Sequence, residues 1–180
     1  NLSTSNEVSE GSTALVIGAG GTSRAAVYSL HNVGFKTIYL YNRTRANADI
    51  MVASFPSDYN IIVLTSLDSL PTSAELPVVI ISAIAAAGTS TVHQSNPDAG
   101  VIIPSSILGR TQGGVVIDMA YKPKITPVIE LAQKTNGWKA VPGVEMLLEQ
   151  GYHQFKFWTG RRAPKHVIET TVLRAYERDL

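Results

Sequence analysis

Ala14-Leu15-Val16-Ile17-Gly18-Ala19-Gly20-Gly21-Thr22-Ser23-Arg24 is the stretch that decides the fold. Its first four residues form a short apolar run ending in glycine, which reads as a buried strand. Ala26, Leu30 and Val33 then recur at helical spacing, so a helix is predicted over 22–33, with Gly34 at its C-terminal cap. A glycine-rich turn between a strand and a helix is the context in which a GxGxxG-like pattern has physical meaning. Gly18 permits the tight turn, and Gly20 lets backbone amides approach a pyrophosphate. The helix N-terminus adds unpaired N–H groups and a partial positive charge. Ser23 stands where a third glycine is usual, and it is small enough for close helix–strand packing. A glycine-rich turn that binds nothing is the competing reading of the same residues.

Working outward, Thr37–Tyr41 reads as a second strand and residues 45–55 as a second helix, with Pro56 just beyond it. Further strands are predicted over 60–64, 78–81 and 115–118, and helices over 126–136, 144–158 and 164–178. Alternating strands and helices argue for a parallel sheet with helices on both faces. The expected fold class is therefore α/β: a Rossmann-like, doubly wound parallel sheet with a C-terminal helical segment. Right-handed crossovers would place a ligand crevice at the carboxyl ends of the strands. The expected organisation is a single dinucleotide-binding domain over 1–180, with a Rossmann core over 12–143 and C-terminal helices over 144–180. Residues 65–77 and 88–113 are polar or irregular, and no internal repeat occurs. On the helix over 144–158, Val144, Leu147, Leu148, Phe155 and Trp158 form an expected apolar stripe, with Met146, Gln150 and His153 on another face.

Composition narrows the function classes. The 180 residues carry a net charge of +1, without the basic footprint of a nucleic-acid-binding domain, so no direct nucleic-acid contact is expected. The absence of cysteine excludes a disulfide scaffold, a thiolate metal site and a cysteine nucleophile. His31, His93, His153 and His166 show no metal-ligand spacing, so no metal site is expected. The longest mostly apolar run, Val78 to Ala87, is too short to span a bilayer. The polar, acidic start is unlike a signal peptide. Together these point to a chain without membrane contact, in the cytoplasm.

The end of the second strand addresses the cofactor. NAD-binding domains place a carboxylate there for the ribose hydroxyls, whereas NADP-binding domains supply an arginine for the 2′-phosphate. Here the chain reads Tyr41-Asn42-Arg43-Thr44-Arg45, and no Asp or Glu occurs between Gly11 and Ala48. A guanidinium at Arg43 can stack on adenine and pair bidentately with a phosphate, while Asn42 and Thr44 can hydrogen-bond the same group. NADP is therefore the expected cofactor. The competing reading leaves these arginines on a solvated surface.

Gly18-Ala-Gly-Gly-Thr-Ser-Arg-Ala25 followed by Asn42-Arg-Thr44 resembles the paired cofactor motifs of shikimate dehydrogenases. Further along, the chain is similar to that family at Asp118-Met-Ala-Tyr121-Lys-Pro123, Thr126-Pro127, Gly143-Val-Glu-Met146-Leu147, Gln150 and Trp158-Thr-Gly160. The tail resembles fungal members, namely the last domain of the AROM polypeptide and the related quinate repressor. The resemblance implies the nucleotide-binding half of a two-domain enzyme that reduces 3-dehydroshikimate to shikimate with NADPH. It implies that Gly18, Gly20, Gly21, Thr22, Ser23 and Arg24 hold the diphosphate, and that Asn42, Arg43 and Thr44 hold the adenosine phosphate. Gly143 and Met146 would border the nicotinamide, and Tyr121 and Gln150 would face the substrate. The family's catalytic Lys and Asp belong to an N-terminal substrate domain for which these residues leave no room, so no catalytic residue is expected here. Lys122 and Lys124 are expected at the surface, and Asp118 either orients a neighbour or caps the next turn.

The family pattern is not met everywhere. A second basic residue usual three positions after the Thr of Asn-Arg-Thr is replaced by Asn47, with Arg45 as the nearby candidate. Ala85 to Ala87 remove hydrogen-bonding side chains where the nicotinamide ribose is expected to pass. Two classes of function therefore stay open: the cofactor half of an enzyme, and a non-catalytic sensor domain of a nuclear transcriptional repressor. Expected partners are a shikimate- or quinate-type ligand held with the substrate domain, other domains of a multidomain parent, and a second copy of the chain.

Overall fold

In the computed structural model, which describes residues 11–70, 76–84 and 103–178, β1 (Thr13–Ile17) is buried at every position. A strand covered on both faces reads as a continuous apolar run, and that is why Ala14 to Ile17 shows no polar alternation. Successive side chains still point to opposite faces. Leu15 and Ile17 enter one core cluster, while Ala14 and Val16 enter the other. Each fully buried Leu, Ile or Val contributes about 1.5–3 kcal/mol over its exposed state.

The sheet grows outward from that strand. β2 (Thr37–Tyr41) and β4 (Val79–Ser82) flank β1, with β3 (Ile61–Val63), β5 (Gly114–Asp118) and β6 (Trp138–Val141) completing six parallel strands. Their order is β3-β2-β1-β4-β5-β6, so the winding reverses between β1 and β4. The helices α1 (Gly21–Asn32) and α2 (Arg45–Val52) cover one face through Ala26, Val27, Leu30, Ala48 and Met51. The helix α3 (Pro127–Lys134) covers the other through Val128, Ile129 and Ala132. Gly34, with φ 108, follows α1 and donates its N–H to His31 O at 3.0 Å, the glycine stop expected there. The observed sheet is the Rossmann-like doubly wound arrangement expected from the sequence.

Two expectations need correction. The sequence predicts no strand at 138–141, yet Trp138–Val141 pairs parallel with β5 from Gly114↔Trp138 to Ile117↔Val141. An edge strand of four residues reading Trp-Lys-Ala-Val shows neither a long apolar run nor a full alternation. Its place is set by tertiary contacts, including Trp138 Nε1 donating to Leu108 O at 3.0 Å. The second correction concerns α4 (Gly143–Thr159). Its buried face is Val144, Leu148 and Tyr152, while Leu147 and Trp158 are 37% and 73% exposed. At about 100° per residue, Leu147 and Trp158 lie on the flank of the stripe away from Tyr152. The packing turns the helix toward Tyr152 and leaves that flank uncovered.

The last helix, α5 (Lys165–Arg178), buries no residue within the chain. Ile168, Val172, Leu173 and Tyr176 are its half-buried residues, and at its start Lys165 Nζ lies 3.6 Å from Glu149 Oε1 and 4.5 Å from the centre of the Tyr152 ring. Among the described residues no helix is long and apolar enough to cross a membrane.

Candidate functional site

The glycine turn sits where the winding of the sheet reverses. Gly18 has φ +116, a conformation that glycine adopts without strain. A β-carbon on it would lie 2.9 Å from Ala83 O and 3.0 Å from Ser23 Oγ. The turn is tied to both neighbouring strands: Gly18 N donates to Tyr41 O at 2.7 Å, and Ala83 N donates to Ile17 O at 2.8 Å. Ser23 is fully buried, and its Oγ accepts the Gly20 N–H at 3.3 Å. This is the close helix–strand packing expected of a small residue at that position.

The first turn of α1 contains no acidic side chain. Its early N–H groups lack intrahelical acceptors, and no carboxylate of their own turn neutralises them. A β-carbon on Gly20 or Gly21 would meet nothing within 4 Å. The turn therefore combines a tight cradle at Gly18 with open space at Gly20 and Gly21, which suits an anionic group such as a diphosphate.

Beside it lies a crevice of about 430 Å³ lined by Thr22, Ala83, Ile84, Met119, Ala120, Tyr121 and Lys122. These residues come from the start of α1, the end of β4 and the segment after β5, so the crevice lies at the topological switch point. Of the sequence-predicted residues, Thr22 and Tyr121 line it. Lys122, expected at the surface, is exposed and also lines the crevice. The ammonium of Lys124 lies 5.1 Å from the centre of the Tyr176 ring on α5. The Lys122–Pro123 peptide is cis.

Asp118, at the end of β5, is 2% exposed. Its Oδ1 accepts the Ala120 N–H at 3.1 Å, and its Oδ2 accepts the hydroxyl of Thr126. Thr126 in turn caps α3 by accepting the Ile129 N–H, with Pro127 opening the helix. Asp118 thus both orients a neighbour and braces the next cap. Gly143 begins α4 against the same segment: a β-carbon there would sit 2.4 Å from Ala120 O and 2.8 Å from Met119 O. Met146 is half-buried, Gln150 is exposed, and neither lines the crevice.

The second cluster follows β2. Asn42 Nδ2 donates to Thr44 O at 2.8 Å, shaping the turn into α2. Thr44 is the N-terminal cap of α2, but its side chain makes no capping hydrogen bond, and the first turn of that helix also lacks an acid. Arg43 is exposed at the strand end. Arg45 Nε pairs with Asp49 at 3.2 Å to Oδ1 and 3.3 Å to Oδ2, on a half-exposed face. Arg24 reaches the far end of α2, hydrogen-bonding Ser54 Oγ and lying 5.8 Å from the centre of the Phe55 ring. Sequence reading missed Ser54 and Phe55 as its partners and Met119 and Ala120 as crevice walls, whereas Ala83 and Ile84 belong to the segment after the fourth strand that it set beside the cofactor. None of these carries a chemical signature on its own. The Ala85 to Ala87 segment and His93 lie outside the described residues. Among the described residues no group of three His, Asp or Glu side chains converges as a metal site.

Sheet order, glycine turn and crevice define a doubly wound α/β domain of the dinucleotide-binding class. The chain belongs to the shikimate/quinate 5-dehydrogenase family, whose profile matches residues 3–136, and the shikimate 5′-dehydrogenase C-terminal domain profile matches residues 143–173. It is 43% identical over 185 aligned residues to the pentafunctional AROM polypeptide of Mycosarcoma maydis, covering 91% of this chain and 11% of the relative. It is 37% identical over 182 to the quinate repressor protein of Talaromyces stipitatus, covering 98% of this chain and 22% of the relative. Among solved structures it matches the dehydroquinate dehydratase and shikimate dehydrogenase from S. pombe AroM with TM-score 0.70 and 41% identity, over 90% of this chain and 30% of that one. The chain thus corresponds to a shikimate dehydrogenase-like domain that forms a minor part of larger, multidomain relatives.

Proposed function

We propose that this chain is the NADP-binding domain of a shikimate dehydrogenase-like protein, whose parent reaction is the NADPH-dependent reduction of 3-dehydroshikimate to shikimate. The observation that carries this reading is the hydrogen bond from Gly18 N to Tyr41 O. It joins an unneutralised helix N-terminus beside a crevice to the basic turn that starts at Asn42. Gly21, Thr22 and Ser23 offer the diphosphate their backbone amides and the Thr22 hydroxyl, while Gly18 and Gly20, whose amides are taken by Tyr41 O and Ser23 Oγ, shape the turn that lets it approach. Arg24, one of whose guanidinium donors Ser54 Oγ accepts, holds the diphosphate with them. Asn42, Arg43 and Thr44, with Arg45 beside them, hold the 2′-phosphate of the adenosine. Gly143 and Met146 border the nicotinamide, and Tyr121 and Gln150 face the substrate.

The bound cofactor supplies the hydride. This chain's own residues bind and orient it, and no residue of the chain is assigned a proton-transfer role. Held substrate and a proton donor are both needed for that step. A substrate domain with a Lys and an Asp outside these 180 residues provides them. The proposed partners are that domain and its shikimate- or quinate-type ligand, the other domains of a multidomain parent, and a second copy of the chain. The proposed location is the cytoplasm.

The similarity to the quinate repressor across 98% of this chain favours a second reading, a sensor domain that binds without turnover and works in the nucleus. Calorimetric titration of the chain with NADP+ and with NAD+ tests the first reading. Tight NADP+ binding with weak NAD+ binding supports it, and binding of neither overturns it in favour of the regulator.

A further inference from the structure

The crevice has one wall that its own burial does not secure. Tyr121 is 44% exposed and Ile125 56%, and Lys122 and Pro123 between them are exposed as well. A segment with so little buried apolar surface has little intrinsic stability in one place. Yet Met119, Ala120, Tyr121 and Lys122 all line the crevice. A wall against which a reacting ring is seated must be held to about 0.5 Å.

The wall is braced from beneath by a buried carboxylate, beside the Met119 N–H that donates to Ser82 O at 2.8 Å. Asp118 directs both oxygens to the segment that follows it. Oδ1 takes the Ala120 N–H at the start, and Oδ2 takes the Thr126 hydroxyl at the end. The carboxylate is therefore a chord across residues 119–126, with Ala120 and Thr126 as its anchors. Ala120 is also abutted by Gly143, where a β-carbon would come within 2.4 Å of its carbonyl oxygen. Thr126 is committed to α3 through the Ile129 N–H. Each element touching the chord is itself anchored in the core, at β5, α3 or α4.

We infer that Asp118, acting through Ala120 and Thr126, is a positioning residue for the nicotinamide half of the bound dinucleotide. The inference rests on the proposed NADP-binding reading. Its consequence is a division of labour: the Asn42-Arg43-Thr44 turn grips the adenosine phosphate, and the Asp118 clamp sets the wall at the other end. Asp118→Asn keeps the volume but presents an amide N–H to the Thr126 hydroxyl, which then loses its acceptor. Thr126→Val removes the hydroxyl, and Thr126→Ser keeps it.

The test compares NADP+ with adenosine 2′,5′-bisphosphate, which lacks the nicotinamide half, by calorimetry on the wild type and the three variants. Asp118→Asn and Thr126→Val are expected to weaken NADP+ about tenfold, because the loosened wall must be ordered on binding, while adenosine bisphosphate affinity holds within about twofold. Thr126→Ser is expected to match the wild type. Equal losses for both ligands mean a general structural role, and no loss for either means no role; each overturns the inference while the cofactor reading stands. A wild type that binds neither ligand overturns the cofactor reading, and the positioning role with it. Hydrogen exchange separately reads the clamp without ligand: Asp118→Ala, which removes both acceptor oxygens, should speed exchange at Ala120 while Val115 to Ile117 stay protected, and unchanged exchange at Ala120 overturns it.

Discussion

The amide of Gly18 donates to the carbonyl of Tyr41 at 2.7 Å, so the glycine turn and the basic turn of the second strand start from one hydrogen bond. Both turns leave the sheet at the carboxyl ends of adjacent strands, in register at Ile17↔Tyr41. Their spacing is thereby a property of the sheet rather than of either loop.

That arrangement separates the two glycines that sequence patterns treat alike. Gly18→Ala puts a β-carbon against Ala83 O in a left-handed backbone, and is expected to destabilise the fold by about 1–3 kcal/mol. Gly20 has φ -93, and a β-carbon there meets nothing within 4 Å. Gly20→Ala should unfold at the wild-type temperature yet bind NADP+ at least about tenfold more weakly, because the methyl occupies the diphosphate's approach. Thermal unfolding and calorimetry on the pair decide the matter. An unchanged NADP+ affinity in Gly20→Ala would place the diphosphate elsewhere.

Arg43 and Arg45 should also differ. Arg45 lies beside Asp49, whose carboxylate offsets its attraction for a phosphate. Arg43→Ala is expected to cost NADP+ about 1.5–3 kcal/mol, the value of a hydrogen bond to a charged group, and to leave NAD+ nearly unchanged. Arg45→Ala should cost NADP+ less. The ratio of the two dissociation constants for each variant is the measurement. A loss of NAD+ equal to that of NADP+ would remove Arg43 from the 2′-phosphate.

Gly143 is a packing constraint before it is anything else. Gly143→Ala drives a β-carbon into the Ala120 carbonyl and must push α4 away from the segment after β5. Overpacking of this kind costs about 1–3 kcal/mol. The expected signature is a lower unfolding temperature together with weaker NADP+ binding, since the displaced backbone is the crevice wall.

Tyr152, buried beside α5, contributes with Tyr176 of α5 to the alkaline behaviour of the helical tail, burial raising both phenols. Burial pushes the Tyr152 phenol above the ordinary 10.0, and the carboxylates of Glu169 and Glu149 push it further. The fold favours the neutral phenol, so this contribution is fully present below the free-tyrosine value and is lost as pH climbs through the raised one. Stability should hold to about pH 10 and then fall, and Tyr152→Phe should flatten that fall. Thermal unfolding across an alkaline series, read beside phenolate absorbance, checks both parts.

The amino-acid sequence alone determined the doubly wound sheet, because buried parallel strands, glycine turns and amphipathic helices each leave a local pattern. Ala14 to Ile17 is apolar throughout because both faces of its strand are covered, and Gly18 to Arg24 shows its turn chemistry residue by residue. The pattern was silent where structure is non-local. The edge strand Trp138–Val141 exists because Gly114 to Ile117 offer it a ladder and Leu108 accepts the Trp138 N–H. The rotation of α4 toward Tyr152 follows from what packs against it, which no helical wheel records. Of the candidate site, sequence reading named the glycine turn, the basic turn after β2 and Tyr121, which lines the crevice. Only the tertiary structure brought Ala83, Ile84, Met119 and Ala120 together as walls, turned Arg24 toward Ser54 and paired Arg45 with Asp49. Only it gave the Asp118 carboxylate two donors lying on either side of the crevice loop. A local motif states which groups can meet a phosphate, but the distances between motifs are set by strand order and packing, which no short stretch of sequence contains.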